Sequence, residues 1–135
     1  MIRQLDDNVM VSGQIAPHEV AGLAEQGVTV IVNNRPDGEE PGQPLAAEIE
    51  AAAAEANIPY HFVPIIRGIG PADVEEMQKA LREAEGGKLL AFCRSGTRSA
   101  MALGVAKRQE GASAEDVHRC LAEAGFDPSP IAHLL

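Results

Sequence analysis

Residues 88–110 read KLLAFCRSGTRSAMALGVAKRQE and join a short apolar run, a polar loop and a longer apolar segment. The run at residues 89–92 predicts a strand that is buried on both faces. Residues 99–110 are rich in alanine, leucine, methionine and valine, a composition that predicts a mostly buried helix. Cys93 begins the polar loop, so the pattern places a cysteine between the carboxyl end of a strand and the N-terminus of a helix.

The loop at residues 93–98 contains groups that stabilise a thiolate. Its N–H groups and the dipole of the following helix favour negative charge at this position. Arg94 and Arg98 add guanidinium groups, and a nearby cation lowers the pKa of a cysteine. We therefore predict that Cys93 is a nucleophile and not merely a small core residue.

The composition limits the class of protein. The chain has 135 residues and is expected to form one domain, residues 1–135. It carries 20 acidic against 11 basic residues, a formal charge of -9, and has one tyrosine, three phenylalanines and no tryptophan. This acidic, aromatic-poor chain predicts no nucleic-acid partner and no binding to an anionic membrane.

The cellular location is predicted from the apolar runs and the cysteines. No apolar run approaches the length of a membrane span, and the N-terminus MIRQLDDN has no signal-peptide core. Cys93 and Cys120 are too few for a disulfide scaffold, so a reducing cytoplasm is expected. Cys120 lies in a helical segment beside Val117 and Leu121, which predicts core packing, with a resolving thiol as the alternative.

Predicted strands and helices alternate along the chain. The predicted strands cover residues 8–11, 28–32, 60–66 and 89–92. The predicted helices cover residues 17–26, 45–56, 71–84, 99–110 and 114–124. This alternation predicts an α/β fold of three layers, in which a mainly parallel central sheet is flanked by helices.

Three loops leave the carboxyl ends of predicted strands, at residues 33–42, 67–70 and 93–98. Together these loops contain four arginines, namely Arg35, Arg67, Arg94 and Arg98. In a parallel sheet such loops meet at one edge, where ligands bind. We therefore predict that the four arginines surround one locally positive site for an anion or a polarised sulfur atom.

The loop and its surroundings resemble two families of cysteine enzymes. CRSGTR at residues 93–98 resembles the active-site loop of rhodanese-type sulfurtransferases, which carry a cysteine, a glycine three positions later and a final arginine. Residues 9–39, VMVSGQIAPHEVAGLAEQGVTVIVNNRPDGE, are similar to the first strand, helix and second strand of dual-specificity protein phosphatases. As a whole the chain resembles the phosphatase-like domain of β-lactamase-hydrolase-like proteins, which implies a protein tyrosine/dual-specificity phosphatase-like fold.

The length of the loop separates the two chemistries. Phosphatases of this fold have five residues between the nucleophilic cysteine and the arginine, whereas four separate Cys93 from Arg98. A ring shorter by roughly one amide suits the outer sulfur of a persulfide better than a phosphoryl group, which has three oxygens to hold. Phe92 stands where phosphatases usually have a histidine, and residues 66–70 contain no aspartate for general acid catalysis. The nearest acid, Asp73, is expected to complement a helix dipole.

We therefore predict a rhodanese-like sulfurtransferase in which Cys93 carries a persulfide. This chemistry needs an exposed thiolate of low pKa. Arg98 is expected to hold the thiolate and to orient a small anionic or persulfide donor, with Arg94 at the rim. Substrate-binding amides and hydroxyl groups are expected from Ser95, Gly96, Thr97 and Ser99.

Other roles and functions stay open at this point. Arg35 and Arg67 are expected either to contact the substrate or to pair with acids such as Asp37 and Glu39. The histidines show no metal-ligand spacing with the cysteines, and no nucleotide-binding motif is complete, so no metal and no cofactor are predicted. The alternatives to sulfur transfer are a phosphatase that forms a phosphocysteine and a non-catalytic module that binds an anion or senses oxidation. The resemblance implies sulfide or persulfide metabolism with a persulfide dioxygenase as partner, since related domains occur fused to such enzymes.

Overall fold

The computed structural model describes residues 2–135 and shows a five-stranded sheet with helices on both faces. The strands are β1 (Ile2–Asp6), β2 (Val9–Ser12), β3 (Val28–Asn33), β4 (Tyr60–Phe62) and β5 (Lys88–Phe92). The helices are α1 (Val20–Glu25), α2 (Ala46–Glu55), α3 (Pro71–Glu83), α4 (Thr97–Gln109) and α5 (Ala114–Glu123). Two 3-10 helices, Pro17–Glu19 and Ser129–Leu134, precede α1 and follow α5.

The sheet has the strand order β1-β2-β5-β3-β4, in which β1 is antiparallel to β2 and every other pair of neighbours is parallel. The predicted α/β architecture with a mainly parallel central sheet is confirmed. Phe92 at the end of β5 pairs with Ser12 of β2 and with Asn33 of β3. Because these three strands end in register, the loops that follow them leave the sheet at one edge.

The central strand β5 is buried on both faces, as its continuous apolar sequence predicts. Leu89 and Ala91 face a core formed with α3, α4 and α5, whereas Leu90 and Phe92 face a second core formed with α1 and α2. The alternation follows from the two-residue period of side chains along a strand. Each buried leucine or phenylalanine contributes about 1.5–3 kcal/mol relative to exposure, so β5 is a firm support for the loop that follows it.

The edge strand β1 is not among the predicted strands. Its sequence, IRQLD, is mostly polar, and Leu5 is its one buried residue. The strand adds to the sheet through backbone pairing with β2. Such pairing at an edge needs little apolar surface, so it leaves no alternating pattern in the sequence.

The strand predicted at residues 60–66 is shorter in the structure, because β4 ends at Phe62. Pro64 has no N–H to donate to a regular strand ladder. The extended backbone continues to either side of it, where the N–H groups of Val63 and Ile65 donate to the carbonyls of β3 and of the residue after it.

The helices begin close to the predicted positions. α3 begins at Pro71, where Asp73 accepts a hydrogen bond from the N–H of Gly70 at 2.9 Å, and α5 follows Ser113, whose hydroxyl caps the helix. α4 begins at Thr97, two residues before the predicted start. Within residues 2–135, no helix has both the length and the apolar character that a membrane crossing needs.

Candidate active site

The turn from β5 into α4 depends on glycine. Gly96 has a φ of 93°, a left-handed conformation that other residues rarely adopt. A Cβ on Gly96 would lie 3.4 Å from the backbone of Ser12. A Cβ on Gly13 would lie 2.9 Å from the carbonyl oxygen of Arg94. The loops after β2 and β5 are therefore in close backbone contact, and the N–H of Cys93 donates to the Ser12 carbonyl at 3.3 Å.

Cys93 follows β5 directly and is surrounded by hydrogen-bond donors. The N–H of Gly96 donates to its sulfur at 3.1 Å. Burial raises the pKa of the thiol, but hydrogen bonds from the N–H groups of Ser99, Ser95 and Gly96 and from the Ser99 hydroxyl outweigh burial. The pKa of Cys93 therefore lies below that of an ordinary thiol, so the loop favours the thiolate.

Ser99 brings both of its donors to the sulfur. Its hydroxyl is buried in the first turn of α4 and has no standard hydrogen bond to any group of the described residues. An unsatisfied buried hydroxyl costs about 1–3 kcal/mol. The hydroxyl lies close enough to the Cys93 sulfur to lower the pKa of the thiol, so it favours the thiolate.

Arg98 is held in place by three short hydrogen bonds. Nη1 and Nη2 each donate to one carboxylate oxygen of Glu39 at 2.8 Å, and Nη1 also donates to the carbonyl of Ile65 at 2.8 Å. Glu39 raises the pKa of Arg98, and the nearby Cys93 thiolate adds to this effect. The guanidinium therefore interacts with a carboxylate and with the reactive sulfur at the same time.

Two adjacent carboxylates, Glu39 and Glu40, connect the arginines, and we call this pair the acidic clasp. Arg35 donates from Nε to Glu39 at 3.0 Å and from Nη2 to Glu40 at 2.8 Å. The Nε of Arg94 lies 3.0 Å from Glu40. Hydrogen bonds from Arg98 and Arg35 outweigh burial and lower the pKa of Glu39 to about 2, so its carboxylate is ionised at neutral pH.

Three of the four arginines predicted at this edge are joined through the acidic clasp. Arg35 is 3% exposed, and its Nη1 donates to the Gln14 side chain at 3.1 Å, so all its guanidinium nitrogens are bound by protein groups. Of its two predicted roles, the structure shows pairing with acids. Arg94 is exposed at the rim. Arg67 is also exposed and has no hydrogen bond or ion pair within residues 2–135, so its contact with a substrate stays a prediction.

The sequence predicts an exposed thiolate, and this is wrong for the conformation seen here. Cys93 has 0% exposed surface, because the loop, the end of β5 and α4 enclose it. A donor molecule reaches the sulfur only after neighbouring groups move. Ser95 and Thr97 are exposed, and their hydroxyls bond to each other at 3.2 Å, so of this pair only the Ser95 amide acts on the sulfur.

The acidic clasp is absent from the predicted site residues. Its signal in the sequence is Asp-Gly-Glu-Glu at residues 37–40, in a loop that leaves the carboxyl end of a strand. The sequence predicts Glu39 only as a pairing partner for Arg35 or Arg67. Adjacent acids in a turn-rich loop are usually solvated, so their contact with Arg94 and Arg98 is visible only in three dimensions.

Cys120 lies away from the thiolate loop, on α5, where it is half-buried and lines a separate cavity with Leu5 and Lys107. The sequence predicts core packing for Cys120, and the structure shows only partial burial.

His61 pairs with Glu76 and Glu83 at 3.6 and 3.1 Å. Residues 2–135 contain no group of three or more side chains that could hold a metal ion.

The sequence of the chain is similar to that of known proteins over most of its length. A family model described as "Beta-lactamase hydrolase-like protein, phosphatase-like domain" matches residues 1–110. The chain is 38% identical over 128 residues to the beta-lactamase hydrolase-like protein of Xylella fastidiosa, which covers 93% of this chain and 30% of that protein. The chain thus spans less than a third of the length of this curated relative.

Solved structures share the fold. A protein of Neisseria meningitidis, whose name gives it provisionally as a phosphatase, matches with a TM-score of 0.79 at 30% identity, covering 98% of this chain and 94% of that chain. PTPMT1 matches with a TM-score of 0.75 at 16% identity, and the match covers 99% of this chain and 91% of that chain. At this identity the match shows the fold alone. These matches confirm the predicted phosphatase-like fold. They give no support to sulfur transfer.

Proposed function

The chain belongs to the phosphatase-like domain family of beta-lactamase hydrolase-like proteins, and we propose that it is a cysteine-dependent sulfurtransferase within this family. The observation that carries the proposal is a ring that stabilises the Cys93 thiolate without a protonated acid beside it. Hydrolysis of a phosphate monoester needs a general acid for its leaving alcohol. Sulfur transfer from a donor with a stable leaving anion needs none.

The acids near the ring are poorly placed to donate a proton. The pKa of Glu39 is lowered to about 2, so it is ionised at neutral pH. Glu40 is paired with two arginines. Asp73, at the start of α3, accepts the N–H of Gly70 and serves as a helix cap.

The proposed first step needs the thiolate, a donor and movement of the groups that cover Cys93. Cys93 attacks the outer sulfur of a persulfide or thiosulfonate, so a new S–S bond forms. The S–S bond of the donor breaks, and its electron pair leaves on a thiolate or a sulfinate. A second nucleophile, such as a thiol or cyanide, then removes the outer sulfur and restores the Cys93 thiolate. The amides that bind the thiolate also suit the negative outer sulfur of the persulfide.

A phosphatase is the second candidate, and the known relatives favour it over sulfur transfer. The matching family is described as phosphatase-like, and the name of the Neisseria protein refers to a phosphatase. In this alternative Cys93 attacks phosphorus, and water hydrolyses the phosphocysteine. The short ring would have to hold three phosphoryl oxygens, and without a protonated acid the leaving group would be restricted to acidic alcohols such as phenols.

A non-catalytic module that binds an anion or senses oxidation is the third candidate. The complete burial of Cys93 is the observation that favours it. A setting in sulfide metabolism, with a persulfide dioxygenase as partner, is a proposal that rests on resemblance and goes together with the first candidate.

The test compares a sulfur donor with a phosphate ester. Purified protein is incubated with methanethiosulfonate and cyanide, and separately with p-nitrophenyl phosphate. We expect thiocyanate, its loss in Cys93→Ser, and one added sulfur atom on Cys93 by mass spectrometry when cyanide is omitted. Cys120→Ser is the matched control and should keep the activity. Release of phosphate without formation of thiocyanate would establish the phosphatase instead, if Cys93→Ser abolishes that release. No activity in either assay would favour the non-catalytic module.

A further inference from the structure

The strand β4 forms one edge of the sheet, and no strand within residues 2–135 pairs with its outer side. On the inner side, the N–H of Val63 donates to the carbonyl of Asn33 at 2.8 Å, and Asn33 stands opposite Phe62. Successive residues of a strand direct their backbone groups to alternate sides. The N–H and C=O groups of Tyr60 and Phe62 therefore point away from the sheet, where a further strand can pair with them.

An open groove of about 370 Å³ runs along this free edge, between β4 and α2. Its lining consists of two aromatic residues of β4, two alanines of α2 and two acids, namely Tyr60, Phe62, Ala46, Ala47, Asp37 and Glu50. Because Tyr60 and Phe62 are two residues apart in a strand, their side chains lie on the same face of the sheet. Phe62 is 44% exposed, so a large aromatic surface in the groove is open to a ligand.

The ring of Tyr60 is a fixed wall of the groove. Its hydroxyl donates to the carbonyl of Ala46 at 3.3 Å, which joins β4 to the first residue of α2. The same hydroxyl accepts a hydrogen bond from the side-chain amide of Asn33 at 3.1 Å, which joins it to β3. A ligand would not have to order this ring, so less conformational entropy is lost on binding.

The two carboxylates of the groove have capacity left for a cation. Asp37 accepts the N–H of Ala46 through Oδ1 at 2.7 Å, and its Oδ2 has no hydrogen bond within residues 2–135. Glu50 is exposed and has no hydrogen bond or ion pair in the same part of the chain. Burial is the main cause that raises the pKa of Tyr60, and the charges of Glu50 and Asp37 raise it further. Negative charge beside an aromatic wall favours a lysine or arginine side chain.

A second copy of the chain is a poor occupant of this edge. Antiparallel pairing of two β4 edges would bring the acids of both grooves to the same face of the joined sheet, and each chain carries a formal charge of -9. Pro64 follows β4 and has no N–H to donate, so the free edge is too short for a long ladder between two copies. The charge and the length of the edge both favour a short basic partner.

We propose that β4 binds a short extended segment of a partner protein, which adds a sixth strand to the sheet and places a lysine or arginine side chain in the groove beside Phe62 and Glu50. A segment of about five residues covers the free edge. Its backbone pairs with Tyr60 and Phe62 and supplies affinity, whereas the basic side chain in the groove supplies specificity. The proposal does not depend on the reaction at Cys93.

The test uses the synthetic peptide Thr-Val-Lys-Val-Thr with blocked termini and a fluorescent label, beside the same peptide with glutamate in place of lysine. We expect fluorescence anisotropy to show that the lysine peptide binds about tenfold or more tightly than the glutamate peptide, because the groove is acidic. In amide hydrogen exchange followed by NMR, the lysine peptide should slow exchange at Tyr60 and Phe62 by about tenfold. The Val63 amide already donates to β3 and should not change.

Two substitutions on α2 test the role of the groove. Glu50→Lys reverses one groove charge, so it should weaken binding of the lysine peptide about tenfold and strengthen binding of the glutamate peptide. Glu55→Lys makes the same change on the same helix outside the groove and should alter either affinity less than about twofold. Both positions are exposed, so loss of folding is not expected.

Four outcomes would overturn the proposal. One is that neither peptide binds, and a second is that the lysine and glutamate peptides bind equally. A third is that Glu50→Lys and Glu55→Lys have equal effects, which would remove the groove from the binding site. Binding that leaves hydrogen exchange at Tyr60 and Phe62 unchanged would exclude the added strand.

Sedimentation of the protein without peptide tests the other occupant. We expect a monomer whose Tyr60 and Phe62 amides exchange freely. A dimer in which both amides are already protected would show that a second copy covers the edge, and the proposed partner segment would then be wrong.

Discussion

The hydroxyl of Ser99 lowers the pKa of Cys93, and its removal can be tested directly. Ser99→Ala keeps the backbone N–H and removes only the hydroxyl. Because this donor stabilises the thiolate, we expect the pKa of Cys93 to rise toward the ordinary value. Activity should then fall at neutral pH and recover as the pH rises through the new pKa.

The ultraviolet absorbance of the thiolate measures this change, with Cys120→Ser as the background so that only one thiol titrates. Ser95→Ala is the matched control, because the Ser95 hydroxyl bonds to Thr97 and not to the sulfur. An identical titration midpoint for Ser99→Ala and the parent would show that the hydroxyl does not bind the sulfur.

Glu39 contributes stability through its bonds to Arg98 and Arg35. We expect Glu39→Gln to lower the free energy of unfolding by about 1–2 kcal/mol near neutral pH. The pKa of Glu39 is lowered from 4.5 to about 2 in the folded state. Its contribution is therefore present above pH 4.5 and is lost as the pH falls toward 2, so the difference between the two proteins should shrink across that range.

Urea unfolding at several pH values provides the measurement. Glu85→Gln, which alters an exposed acid that has no side-chain hydrogen bond or ion pair within residues 2–135, controls for the general loss of one charge. A difference between Glu39→Gln and the parent that stays constant down to pH 3 would contradict the assigned linkage.

At the scale of elements, the turn between β5 and α4 requires glycine at position 96 for its positive φ, and a Cβ there would also contact the Ser12 backbone. We expect Gly96→Ala to displace the loop, raise the pKa of Cys93 and reduce activity by tenfold or more, with a stability loss of about 1–2 kcal/mol. Gly86→Ala is the matched control, because Gly86 has a φ of 82° but no neighbour within 4 Å.

The two glycine variants should thus differ in activity while they lose similar amounts of stability. Parallel thermal unfolding and sulfur-transfer assays measure both quantities. Full activity in Gly96→Ala would show that the ring of amides does not need this backbone conformation.

At the scale of the whole molecule, the formal charge of -9 opposes the approach of an anionic donor. Because the arginines of the site are paired with carboxylates, we expect them to give little long-range attraction. Added salt screens the repulsion, so kcat/KM for methanethiosulfonate should rise about two- to threefold from low to physiological ionic strength. A fall in kcat/KM with salt would show that the arginines dominate the approach of the donor.

Much of the fold follows from patterns that are local in the sequence. The apolar run at residues 89–92 predicts the central strand, and the helix starts at Pro71 and Ala114 agree with the structure. β1 could not be predicted, because an exposed edge strand is held by backbone pairing and carries almost no apolar pattern. The early start of α4 depends on the positive φ of Gly96, which composition does not reveal.

The sequence by itself determined the alternation of strands and helices from β2 onward and the groups in residues 93–98 that favour a thiolate. The reason is that side-chain period and the donors of one loop act between residues that are close in the chain. The tertiary structure alone decided that Glu39 binds Arg98, 59 residues away, that the Cys93 sulfur is buried and that a groove lies along the free edge of β4. Ion pairs and cavities depend on which loops the sheet brings to one edge, and strand order is set by packing over the whole domain.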